Sequence, residues 1–390
     1  MRSCPTGILK SDNAIKKLKG LSLIQTDNSI TERRNMADLK RIIEMITPLD
    51  TERMDETRAR QDILTKPQGS LGRLEELSIQ LAGIQGKANP EIKQKAIITM
   101  AGDHGVVDEK VGNWPQEITA QMVYNFLRGG AGINVLARQA GARVVVVDMG
   151  VASDLKPDPQ LLVRKIGYGT RNMCLGPAMT VEQAVKSIEA GIEIVTDELK
   201  KGIDIVGTGD MGIGNTTASS AICAVMTGKT VAEVTGRGTG LTDEQLARKV
   251  GVIERALAKN NLDSSQSLDV LAKVGGFEIG GLVGVILAAA AYRVPVAIDG
   301  FISGAAALIA SALAPGVKGF LIAAHVSAET GHRIILEHLG HKPLLDLDMR
   351  LGEGTGAVLG IFLAEASARI LAEMSTFAEA GVSEGDGSVK

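Results

Sequence analysis

Cysteine is scarce in this 390-residue chain, which carries only Cys4, Cys174 and Cys223. They are widely separated and show no paired spacing, so neither a disulfide framework nor a zinc knuckle is expected, and a reducing cytoplasm fits best. An excess of one charge is lacking too. The 42 Lys and Arg residues nearly balance 45 Asp and Glu, for a formal charge of -3. No broad electrostatic footprint for nucleic acid or anionic lipid follows, and the expected partner is a small molecule. The most apolar stretches, Gly280 to Ala291 and Gly304 to Ala314, are Ala/Gly-rich and too short to span a bilayer, so they read as buried helices and no membrane partner is expected. The first 35 residues contain scattered lysines without a continuous apolar segment or small-residue cleavage site, which argues against a secretory signal. Histidine is thin as well. His104, His325, His332, His338 and His341 show no ligand periodicity, and no metal site is expected.

What is present suits one large α/β domain with a small helical accessory domain, since 390 residues exceed the usual single-domain size and the apolar fraction is 45%. Residues 1–35 read as an extension, with Met36 as an alternative start. Residues 36–90 read as accessory helices: Leu39, Ile42, Ile43 and Ile46 share one face before Thr47-Pro48, and Ser70 is placed to cap a Leu-rich helix beginning near Leu71. From 91 to 375, short apolar runs alternate with helical segments, which implies a parallel sheet. The runs are Ala96 to Ala101, Arg143 to Met149, Ile203 to Gly207, Val294 to Ile298, Gly319 to Ala324 and Leu344 to Leu347. Residues 376–390 form a tail. In such sheets ligands sit at the carboxyl ends of the strands, where this chain places Asp103-His104, Gly209-Asp210 and Asp299-Gly300.

Three segments offer chemistry. Gly207-Thr208-Gly209-Asp210-Met211-Gly212-Ile213-Gly214-Asn215-Thr216-Thr217 runs from a strand into a small-residue helix, so its glycines permit close approach to an anion at a helix N-terminus. Tight strand-to-helix packing explains the same glycines equally well. Thr235-Gly236-Arg237-Gly238-Thr239-Gly240 leads into a helix bearing Arg248 and Lys249, cations suited to a phosphate or, in the plainer reading, facing solvent. Gly352-Glu353-Gly354-Thr355-Gly356 sets one carboxylate among glycines after a strand. Partial desolvation there raises a carboxylate toward general-base duty, while the structural alternative is an acid offsetting a helix dipole.

Together with Lys66-Pro67-Gln68-Gly69-Ser70-Leu71-Gly72 and Ala101-Gly102-Asp103-His104-Gly105-Val106, these segments occur in an order that resembles the nicotinate-nucleotide-dimethylbenzimidazole phosphoribosyltransferase family over roughly Met36 to Val382. The resemblance implies a doubly wound, mostly parallel sheet whose C-terminal helix returns to the small domain, a homodimer, and no metal or redox cofactor. It implies displacement of nicotinate from nicotinate mononucleotide by a nitrogen of 5,6-dimethylbenzimidazole, with inversion to α-ribazole 5'-phosphate. The family's base matches Glu353. Its second carboxylate, usually Glu, is matched by the shorter Asp210, expected to face the ribose and stabilise developing positive charge there. Gly212, Gly214, Asn215, Thr216 and Lys249 match the phosphate-side segment, and Gln121 and Asn113 the aromatic-base side. Gly112-Asn113-Trp114-Pro115 departs from the family's Ser-Ala-Tyr-Pro-like segment. That departure leaves room for another base, such as a phenol, adenine or an unsubstituted benzimidazole. A non-catalytic partner subunit is the alternative of a different class, and a dinucleotide oxidoreductase ranks last.

Overall fold

The structure, a computed structural model, describes residues 39–238 and 240–383. The expected extension over 1–35, Met36, Cys4, Thr239 and the last part of the expected tail lie outside the described residues.

Six strands form one sheet: β1 (Lys95–Gly102), β2 (Arg143–Gly150), β3 (Leu161–Val163), β4 (Ile205–Met211), β5 (Val296–Ile298) and β6 (Leu321–Ala323). Every neighbouring pair is parallel, in the order β3-β2-β1-β4-β5-β6. All eight residues of β1 are buried, as a strand covered on both faces requires. The period-2 alternation of side chains divides the apolar residues into two cores. Ala96, Ile98, Met100 and Val206 join the cluster on one face, and Ile97, Ala101, Ile205 and Ala297 the cluster on the other.

The first core is closed by helices Val181–Lys200 and Phe277–Ala291, the latter buried along its whole length. Their backbones touch. A methyl at Gly284 would run into the Ile188 carbonyl oxygen, and one at Gly191 into that of Gly281, so glycine is what lets the two helices approach. The second core is closed by helices Gly132–Ala140 and Thr355–Glu373. Thr355–Glu373 is long and apolar enough to cross a membrane by length and composition alone, yet Val358, Ile361, Ala364 and Ala368 are buried in this core.

Helix Thr355–Glu373 also packs on Arg73–Gln85, which packs on Thr51–Ile63. Behind it the chain rejoins the N-terminal part, with Thr65 N–H donating to the Ser375 carbonyl at 3.0 Å and Leu64 bridging to Thr376. Two local expectations are corrected, and one strand was not foreseen. Ser70 does not cap the second helix, which starts at Arg73 behind Gly72 with no side-chain cap, because the turn at Gly69 and Gly72, both with positive φ, carries the chain past it. The Leu344 to Leu347 run is not a sheet strand. Only Leu345–Asp346 is extended, and it pairs with His325–Val326 in a separate two-stranded ladder, since β6 already forms the sheet edge. The three-residue β3 is an edge strand too short for its period to register in sequence.

Candidate active site

The strand order reverses between β1 and β4, and at such a point the loops leaving the two carboxyl ends diverge and open a crevice. A cavity of about 750 Å³ lies there. The loop after β4 is pressed so closely against β1 that a Cβ at Gly212 would collide with the Gly102 carbonyl oxygen. Gly214, at φ +96°, then turns the chain into helix Asn215–Thr227. Gly214, Asn215 and Thr216 at this N-terminus line the cavity without a side-chain cap. The Asn215 and Thr217 N–H groups bond back to the Gly212 and Gly214 carbonyls, and the positive end of the helix dipole favours an anion here.

Lys249 is brought to this end from helix Asp243–Asn260. It is 1% exposed, and among the described residues its hydrogen bond is to a neutral group, Nζ donating to Thr216 Oγ1 at 2.9 Å. Burial lowers its pKa to about 8, with the Glu329 charge opposing. A buried ammonium with no close carboxylate is costly unless an anion joins it. Gly212, Gly214, Asn215 and Thr216 line the cavity with it.

Glu353 stands at the opposite side on the loop before helix Thr355–Glu373. Gly352, Glu353 and Gly354 have φ of +80°, +65° and +99°, and such a value is strained for glutamate unless its surroundings enforce it. Here they do. Glu353 N–H donates to the Asp210 carbonyl at 3.1 Å, Thr99 Oγ1 donates to the Glu353 carbonyl at 2.9 Å, and Glu353 Oε2 accepts from Ile133 N–H at 3.0 Å. The carboxylate is 4% exposed. Burial raises its pKa; the Ile133 N–H opposes this and the Asp299 charge adds to it. The helix-dipole reading holds in altered form: Glu353 serves the N-terminus of helix Gly132–Ala140, not that of its own helix.

Asp210 lies between the two ends at the close of β4. Its Oδ2 accepts from Asn215 Nδ2 at 2.9 Å, while Oδ1 is buried with no hydrogen-bond partner among the described residues. Burial first, then the charges of Asp299, Glu278 and Glu353, push its pKa well above the usual carboxylate range, against the Asn215 bond. Burial thus works against the charged form. Behind it, His104 Nε2 meets Glu278 Oε1 at 2.6 Å, both side chains buried. Among the described residues no three His, Cys, Asp or Glu side chains are grouped to hold a metal.

Two expected residues are not on the wall. On helix Glu117–Leu127 it is Ile118 and Met122, four apart and so on one face, that line the cavity, whereas Gln121 is exposed about 100° round the helix. Asn113 is also exposed and directs its side chain to Gln245, at 2.7 Å; its neighbours Gly112 and Trp114 reach the wall instead. Sequence reasoning overlooked His325, Arg350 and Leu241 as wall residues. The buried His325, with Nδ1 unpartnered among the described residues, gave no signal beyond its place after a strand.

A family model described as phosphoribosyltransferase matches residues 46–382. Proteins named nicotinate-nucleotide–dimethylbenzimidazole phosphoribosyltransferase are similar over most of their length. The one from Dehalococcoides mccartyi is 62% identical, covering 86% of this chain and 96% of that protein. The one from Desulforudis audaxviator is 60% identical, covering 89% and 98%. The crystal structure of CobT from Thermus thermophilus superposes with a TM-score of 0.83 at 48% identity, covering 86% of this chain and all of that one. A sheet reversing at β1 and β4, a buried lysine facing a strained glutamate, and these matches agree: the chain belongs to the nicotinate-nucleotide–dimethylbenzimidazole phosphoribosyltransferase family.

Proposed function

We propose that this chain transfers the phosphoribosyl group of nicotinate mononucleotide to 5,6-dimethylbenzimidazole, releasing nicotinate and α-ribazole 5'-phosphate. The observation that carries the reading is the pairing, in one cavity, of an anion-seeking end at Lys249 with a desolvated carboxylate at Glu353. The 5'-phosphate meets Lys249, Thr216 and the N-terminus of helix Asn215–Thr227. Burial leaves the Lys249 ammonium short of a counter-charge, and the phosphate supplies one. The aromatic base lies against Trp114, Ile118, Met122 and Leu241, the apolar part of the wall. Attack by one ring nitrogen on the ribose carbon opposite nicotinate breaks the glycosidic bond and inverts the carbon. As that bond forms, Glu353 accepts the proton from the other ring nitrogen, whose acidity rises with the developing positive charge. Asp210, whose charged form burial disfavours, meets the ribose with its unpartnered Oδ1.

The described residues 39–90 of the expected small domain and the returning helix form an accessory layer, the protein works as a homodimer in the cytoplasm, and nucleic acid is no partner. The reaction is tested by incubating the purified protein with nicotinate mononucleotide and competing bases in one tube, resolving nicotinate and the products by chromatography. Dimethylbenzimidazole is expected among the fastest substrates, giving the α nucleotide. Faster turnover of a phenol or adenine would retain the reaction class and reassign the substrate.

A further inference from the structure

We propose that Asp299 is the positioning residue that holds Glu353 in its working orientation, an inference that rests on the reading of Glu353 as base. Asp299 directly follows β5, is 1% exposed, and is not part of the cavity wall. Its carboxylate instead grips the loop that carries Glu353. Oδ2 accepts from Gly354 N–H at 3.1 Å, and Oδ1 from Gly356 and Ala357 N–H at 2.6 and 3.0 Å. Three N–H groups that helix Thr355–Glu373 leaves unpaired are thereby satisfied from another element. Asp299 is itself fixed, its N–H donating to Thr208 Oγ1 at 3.2 Å.

The consequence falls on the residue just before the gripped turn. Glu353 sits in a left-handed conformation that glutamate does not favour, and such a conformation persists only where neighbours over-determine it. Gly354 is tied on one side by Asp299, and the Glu353 N–H on the other by the Asp210 carbonyl. Without the first tie only the Asp210 carbonyl and the Thr99 hydroxyl hold the strained residue, and relaxation of the loop toward negative φ swings the Glu353 carboxylate off the Ile133 N–H. The groups facing Asp299 are His325, with Nε2 at 3.6 Å, and the carboxyls of Asp210 and Glu353. Glu278 with His104 lies behind Asp210, and Lys249, Glu329 and Arg350 lie further along the wall. Asp299 also acts through its charge, which makes Glu353 hold its proton more tightly.

Two variants separate these effects. Asp299→Ala removes the grip, and a crystal structure of that variant is expected to show Glu353 Oε2 out of hydrogen-bond reach of Ile133 N. Its kcat is expected to fall about 100-fold, as for a misplaced catalytic group, with the KM for nicotinate mononucleotide within about threefold of wild type because the phosphate end is untouched. Asp299→Asn keeps one acceptor oxygen but loses the charge, so the acid limb of its pH–rate profile is expected at lower pH than wild type. A role in folding alone predicts losses that track the folded fraction and an unmoved acid limb, and that result overturns the proposal. So does an Asp299→Ala crystal structure with Glu353 still on Ile133. If Asp299→Ala does not fold, the acid limb of Asp299→Asn decides. If the wild-type protein turns over nicotinate mononucleotide with no base offered, the proposed function fails, while the crystal structure still decides whether Asp299 positions the loop.

Discussion

Lys249 shows how one side chain ties stability to ligand. Its pKa is lowered in the fold, to about 8 against an ordinary 10.5, so the folded state pays for the charged form below pH 8. The penalty fades as pH rises through 10.5. At neutral pH the full cost applies, on the order of 3 kcal/mol at most. Lys249→Met is therefore expected to raise the thermal midpoint at pH 7 and to raise the KM for nicotinate mononucleotide at least tenfold. Calorimetry should also show inorganic phosphate stabilising the wild-type protein but not the variant. A variant that is less stable and binds as before would remove Lys249 from the phosphate site. Among the residues, Glu353 was legible because a carboxylate among glycines after a strand has few structural uses. Asp299 was visible as a strand-end acid, but its grip on a loop more than fifty residues away was not, because hydrogen bonds between distant segments leave no periodic trace.

At the scale of elements, the central strands could be read from sequence because a parallel strand buried on both faces is a continuous apolar run. The edge strand β6 could be read as well, but two other short pieces could not. Leu161–Val163 and His325–Val326 are three and two residues long, shorter than one reliable period. The helix start at Arg73 was misread for a related reason: Ser70 has the right chemistry for a cap, but Gly69 and Gly72 set the path. Glycine also decides how the helices pack. Gly284→Ala would drive a methyl into the Ile188 carbonyl between two buried helices and is expected to destabilise by about 3 kcal/mol. Gly251→Ala, in helix Asp243–Asn260 with nothing near its Cβ, is expected to stabilise by about 0.5–1 kcal/mol. Equal effects of the two in denaturant titrations would refute the close approach.

At the scale of the whole molecule, the order β3-β2-β1-β4-β5-β6 brings together segments from five stretches of the chain: residues 111–122, 210–216, 237–249, 300–302 and 325–353. The sequence motifs mark most of these stretches but not their facing. Gln121 and Asn113 illustrate the loss, since a motif match cannot say which side of a helix or a bend meets a cavity. The sheet reversal does what no single segment does, bringing Lys249, Asp210 and Glu353 to one cavity. The account's central claim is that Glu353 removes the benzimidazole proton, and the pH dependence of nicotinate release by wild type and Glu353→Gln tests it most directly. Because burial raises the Glu353 pKa, activity should fall, as pH is lowered, at a pH above that of an ordinary glutamate. Glu353→Gln should lose about 10²–10⁴-fold in kcat and that limb with it. A Glu353→Gln enzyme within about twofold of wild type, with the same acid limb, would contradict the account.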